Sequence, residues 1–179
     1  MKIENLWKIA IAVLLSMAIL CIPATAVPIS VWNGNEDLEP VDLEPGYFIF
    51  TPTHDNSNNY YYPWMSDVGA FYAASQRNIG NFDYNVTDFW YDPDDVFYGS
   101  FYVHCIDGVC EDYVNDTAWF MYINGEYAEY GFGDERNKLS EFDVVQWYYA
   151  PYTYEYKCDE LIVAVDKANA THYLGLLVV

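Results

Sequence analysis

Trp119-Phe120-Met121-Tyr122-Ile123-Asn124-Gly125-Glu126-Tyr127-Ala128-Glu129-Tyr130 decides the fold. Two runs of strand-forming residues flank an Asn-Gly pair. That pair specifies a type I′ hairpin turn, because both central residues need positive φ and Asn and Gly tolerate it best. A two-residue loop also fixes register: Tyr122 stands opposite Tyr127, and Met121 opposite Ala128. Aromatic pairs across strands of this kind contribute ~0.2–1 kcal/mol each relative to alanine.

Further strand material lies on both sides of this hairpin. Gly46–Thr53, Phe82–Val86, Ser100–Ile106, Asp143–Tyr149, Leu161–Val165 and Tyr173–Val179 are rich in aromatic and β-branched residues. The polar stretch His54–Asn59 reads as a loop. One helix is expected. Ser66 caps it, Val68, Phe71, Tyr72, Ser75 and Ile79 recur at helical spacing to about Asn78, and Gly80 stops it. One helix packed on a mostly antiparallel β-sheet is an α+β domain.

The 179 residues include 19 Tyr, 10 Phe and 6 Trp, enough apolar surface for one core and too much for a disordered chain. Against 27 acidic residues stand 7 basic ones, for a net charge of −20. Beyond residue 26 the basic residues are Arg77, Arg136, Lys138, Lys157 and Lys167, each alone, so no nucleic-acid surface is expected. Such acidity keeps a chain dispersed and suits high salt, or it recruits cations or a basic partner.

Residues 1–26 read as a cleaved signal peptide. Lys2 and Lys8 precede the apolar run Ile9–Ile22, and Ala24-Thr25-Ala26 supplies the small-x-small cleavage site. That run is shorter than the ~20 residues a spanning helix needs, so no membrane span is expected in residues 27–179, which form a single domain. Secretion or cell-surface location follows. Three Asn-x-Thr acceptors, at Asn85, Asn115 and Asn169, then become glycosylation candidates. In Cys105-Ile106-Asp107-Gly108-Val109-Cys110 the Asp-Gly turn sets Cys105 opposite Cys110 at a separation a disulfide bridges, although pairing of either with Cys158 is open at this stage.

Catalytic patterns are missing. His54, His104 and His172 accompany neither a Gly-x-Ser-x-Gly elbow nor a His-Glu-x-x-His helix, so no enzyme is expected; a hydrolase would need a cleft joining His104 or His172 to a carboxylate and a nucleophile. Asp92, Asp94 and Asp95, close to Asp88, offer oxygen ligands of the kind calcium takes, without the glycine and terminal Glu of an EF-hand loop. Trp119, Tyr122, Trp147 and Tyr149 are the ligand-binding candidates, as rings with polar tips that a sheet face would present to a small apolar ligand.

Several segments resemble the transcobalamin-like C-terminal domain family. They are Val31-Trp32-Asn33-Gly34, Val68-Gly69-Ala70-Phe71-Tyr72-Ala73-Ala74-Ser75, Phe82-Asp83-Tyr84-Asn85-Val86, and Gly99-Ser100-Phe101-Tyr102-Val103 leading to Ile106-Asp107-Gly108-Val109. The most specific are the Trp119–Gly125 hairpin and Phe142-Asp143-Val144-Val145-Gln146-Trp147-Tyr148-Tyr149-Ala150, where Phe142 replaces the glycine of the family's Gly-Asp-x-Val turn. The arrangement also resembles exported surface proteins of methanogenic archaea. The resemblance implies a β-grasp-like, non-enzymatic binding module facing surface proteins or glycans. In the cobalamin carriers this module forms one wall of the corrinoid site, so a corrinoid-like ligand is the second reading. In a glycosylating host, intact mass is expected to fall by one glycan on each of Asn85→Gln, Asn115→Gln and Asn169→Gln; an unmodified native mass would contradict the glycosylation reading.

Overall fold

The computed structural model describes residues 38–54, 58–77, 81–89, 100–128, 130–157 and 160–179. The signal-peptide segment, Trp32, Gly80, Asp92, Asp94, Asp95 and Cys158 lie outside them. Eleven strands and one α-helix are found among the described residues: β1 (Leu38–Val41), β2 (Tyr47–Phe50), β3 (Tyr60–Pro63), α1 (Asp67–Ser75), β4 (Tyr84–Thr87), β5 (Tyr102–Ile106), β6 (Val109–Cys110), β7 (Thr117–Ile123), β8 (Glu126–Tyr127), β9 (Val144–Lys157), β10 (Glu160–Val165) and β11 (His172–Val178).

The strands form three sheets. The largest runs β1-β11-β9-β7-β8, with β10 also paired to β9; β2–β3 and β4–β5–β6 are the others. The β1–β11 pair is parallel and the rest are antiparallel. The fold is therefore mainly β, and the expectation of an α+β, β-grasp-like domain with one helix on one antiparallel sheet is corrected. The α-helix has only nine residues, and most of the framework is strand pairing.

The helix starts where its cap dictates: Ser66 Oγ accepts from the Gly69 amide at 3.1 Å. It ends at Ser75, earlier than the spacing suggested, with Gln76 N donating to Tyr72 O at 3.1 Å. Gly69 is needed there, because a Cβ on it would stand 1.9 Å from the Trp64 carbonyl oxygen. The backbones thus meet closely, and Phe71 is driven to full burial. Its ring lies 5.2 Å from those of Phe82 and Phe132, 5.3 Å from Tyr84 and 5.6 Å from Trp147, joining helix, loop and sheets in one aromatic core.

Both turn expectations are met. Tyr122 pairs with Tyr127, and Asn124 and Gly125 take φ of 53° and 83°. Cys105 pairs with Cys110 as a disulfide across the Asp107-Gly108 turn. Strand β9, expected to end at Tyr149, instead continues to Lys157. It changes partners near Pro151: residues before it pair with β7 and β11, and residues after it with β10. Proline lacks an N–H, and such a break in the ladder is where a strand accommodates it. Strands β1 and β3 were not expected.

The hairpin turn also locks its neighbour. Asn124 Nδ2 donates to Asp143 Oδ1 at 2.9 Å, and Asn124 Oδ1 accepts from the Val144 amide at 2.8 Å. Phe142 adopts φ of 73° and stands exposed. Asn124→Ala removes both side-chain bonds and puts a Cβ-bearing residue without a polar tip at positive φ. It should lower unfolding free energy by about 2 kcal/mol in urea titration; an unchanged midpoint would show that the lock contributes nothing.

Candidate functional site

Alternation along β7 and β9 sorts the rings. Trp119 and Met121 join Trp147 and Tyr149 on the face that packs on the main core. Phe120 and Tyr122 join Tyr148 and Tyr173 in a second cluster on the other face. The four ligand-binding candidates therefore do not form one exposed platform: Tyr122 faces away from Trp119, Trp147 and Tyr149. Period-two geometry already requires this, since residues 119 and 122 are an odd number apart on one strand. Trp119 and Trp147 are 5% and 2% exposed.

Two of these rings hold the disulfide hairpin against the large sheet. Trp119 Nε1 donates to the Val109 carbonyl and Tyr149 Oη to the Cys110 carbonyl, each at 2.8 Å. Thr117 Oγ1 donates to Tyr149 Oη at 2.8 Å, which fixes that hydroxyl's direction. The disulfide closes the same hairpin covalently, so the Trp119–Tyr149 pair, 5.5 Å between ring centroids, has a rigid partner.

Beside this assembly lies a cavity of about 290 Å³. Phe101, Trp119, Phe120, Tyr127, Trp147 and Tyr154 contribute to its walls, and none of its described lining residues is charged. In a chain with 34 acidic and basic residues, that exclusion is informative. Phe120 and Tyr154 were not among the sequence candidates; the part of Tyr154 depends on β9 continuing past Tyr149.

The segment carrying Gly131 and Phe132 closes one side of the cavity, and Asp67 holds it. The buried Asp67 carboxylate accepts from Gly133 N and Asn137 Nδ2 at 2.9 Å each, and from Val68 N at 2.7 Å. Asn137 Nδ2 also donates to Gly131 O at 2.8 Å, and Tyr62 Oη to Gly133 O at 2.5 Å. Burial pushes the Asp67 carboxyl up to about 7, against the downward pull of these donors.

A second polar cluster surrounds Glu111. Its carboxylate accepts from Tyr102 Oη at 2.5 Å and pairs with His104 Nδ1. Burial acts to raise its pKa, but hydrogen bonds from Tyr102, Tyr113 and His104 together hold it below the ordinary value. His104 is thus joined to a carboxylate, while the adjacent Cys105 sulfur is committed to the disulfide. His172 Nδ1 lies 3.1 Å from Thr171 Oγ1. Asp88, the described neighbour of the calcium candidates, accepts from Tyr60 Oη at 2.8 Å and Asn58 Nδ2 at 3.2 Å. No group of three metal-ligating side chains occurs among the described residues. The acceptor asparagines differ: Asn115 and Asn169 are exposed, whereas Asn85 is half-buried in β4 with a buried Oδ1.

Residues 74–150, from the end of α1 to the middle of β9, match the family described as a domain of unknown function (DUF4430). No curated protein and no solved structure matches the chain.

The raised Asp67 value has a defined consequence for pH. Between the ordinary value of 3.8 and about 7 the folded chain holds a proton that the unfolded chain has lost. This stabilisation is fully present below 3.8 and disappears as pH rises to about 7. Asp67→Asn should remove that dependence while lowering stability overall, since its amide would meet the Gly133 and Asn137 donors. Denaturant midpoints of the two proteins across this range check it; parallel curves would contradict it.

Proposed function

We propose that the chain is an exported, non-enzymatic binding module of the cell surface or extracellular medium, which holds an uncharged ligand group in the aromatic cavity. The carrying observation is that cavity's composition: rings and, among the described residues, no charged side chain, in a protein of net charge −20. An ionised ligand entering it would lose hydration without meeting a counter-charge, whereas an apolar ring loses nothing comparable. The signal-like residues 1–26 support the location. Kinship with transcobalamin-like domains, to which the matched family is related, supports a binding role.

At about 290 Å³ the cavity lies at the lower end of small-molecule sites. It has room for one ring-bearing group rather than a whole macrocycle, so a small neutral group is favoured over a corrinoid. Trp119 and Trp147 line it and serve as reporters. Indole, p-cresol and benzyl alcohol should change tryptophan fluorescence saturably, and benzoate and benzylamine should not. Tyr154 is 60% exposed, so Tyr154→Ala should fold as the parent does yet weaken binding about tenfold, ~1.4 kcal/mol. Equal responses to neutral and charged compounds, or none to any, would overturn this reading.

A further inference from the structure

The hydrogen-bond ladder on the outer side of β7 has a gap. Thr117 exchanges both backbone bonds with Asp112, at 2.8 and 3.0 Å, and Met121 O accepts from Ala128 N at 3.0 Å. Residues 117, 119 and 121 therefore direct their backbone groups away from β9, as strand alternation requires. Between those two anchors sits Trp119. Among the described residues its N–H and C=O, and the Met121 N–H, meet no backbone partner on that side.

The gap exists because the hairpin's second arm leaves early. Strand β8 ends at Tyr127, and Phe132 pairs instead with Phe101, whose amide donates to Phe132 O at 2.8 Å. The aromatic cavity occupies the space this departure opens, and Trp119, Met121, Ala128 and Tyr130 all line it. A donor and an acceptor on one strand residue, without a backbone partner among the described residues and facing an open recess, are available to a segment that supplies both.

We propose that this gap receives an extended, uncharged peptide segment of a partner protein, which completes the β7 ladder at Trp119 and places one apolar side chain in the cavity. The proposal rests on the binding function above and narrows its ligand to a peptide. Backbone pairing selects the peptide: an extended residue offers C=O and N–H at the spacing of the Trp119 pair, as in strand addition to sheet edges. The lining selects neutrality, since its described residues hold no counter-charge, and the strongly acidic chain further repels anionic segments. The Asp112 bridge and the Ala128 bond bound the gap, so the paired stretch is short.

The test uses the full chain, isotopically labelled and with Cys105–Cys110 oxidised. Capped pentapeptides of Ser and Thr with a central Phe, Tyr or Leu are titrated, together with versions N-methylated at each position in turn. The unmodified peptides should shift the Trp119 and Met121 amide resonances. N-methylation should reduce affinity at least tenfold at one position only, that whose N–H meets the Trp119 carbonyl, since the Thr117 and Met121 carbonyls already accept from Asp112 and Ala128. Equal affinity for all methylated forms, or shifts that spare the Trp119 amide, would overturn the proposal. If indole and p-cresol bind and peptides do not, or if a neutral oligosaccharide shifts the same amides in their place, the peptide assignment fails while the cavity remains a binding site. If no probe binds, both readings fail together.

Discussion

The pairing of β7 with β9 is the constraint from which the rest follows. Trp119 stands opposite Tyr149, Phe120 opposite Tyr148, Met121 opposite Trp147 and Tyr122 opposite Gln146. Nearly every position on both strands carries a large side chain, so both faces of the pair must be covered. The helix, the disulfide hairpin and the loop at Phe132 cover one face; Tyr173, Tyr152 and Val163 pack on the other. A one-residue slip would exchange the two sets, sending Trp119 and Trp147 to the side built for Phe120 and Tyr148.

The site is a by-product of how that constraint is met. Rings fill space in large, rigid units, and the segment after β8 turns away from β7 to pair with Phe101. What remains is a recess walled by aromatic side chains at an edge where, among the described residues, the Trp119 backbone groups meet no backbone partner. Asp67 keeps the recess in shape: its carboxylate ties the first turn of the helix to Gly133 and Asn137, on the segment that forms one wall. Acidic residues elsewhere are abundant, yet this buried one accepts three hydrogen bonds that position backbone near the cavity.

Local features were legible in the sequence because local chemistry determines them. Asn124-Gly125 and Asp107-Gly108 specified their turns through positive φ, the second turn brought Cys105 to Cys110, and Ser66 announced the helix start. Tyr122 could have been separated from Trp119 by counting along the strand. Features that depend on distant partners were not legible: the change of β9 from β7 and β11 to β10, the pairing of β1 with β11, and the strand at Tyr60–Pro63. The fold class failed for the same reason, since one helix among strands says nothing about how the strands divide into sheets. The cavity's lining, uncharged among the described residues, draws on residues from Ser100 to Val163, a set no spacing rule connects.

Native-state amide hydrogen exchange of the ligand-free protein at Trp119, compared with Phe120, tests the central claim most directly. The Phe120 N–H points toward β9 and is paired, whereas the Trp119 N–H points into the open edge. Trp119 is expected to exchange much faster than Phe120 under conditions where the sheet stays folded. Equal protection of the two amides would mean that the edge is already closed, and the binding site described above would not exist.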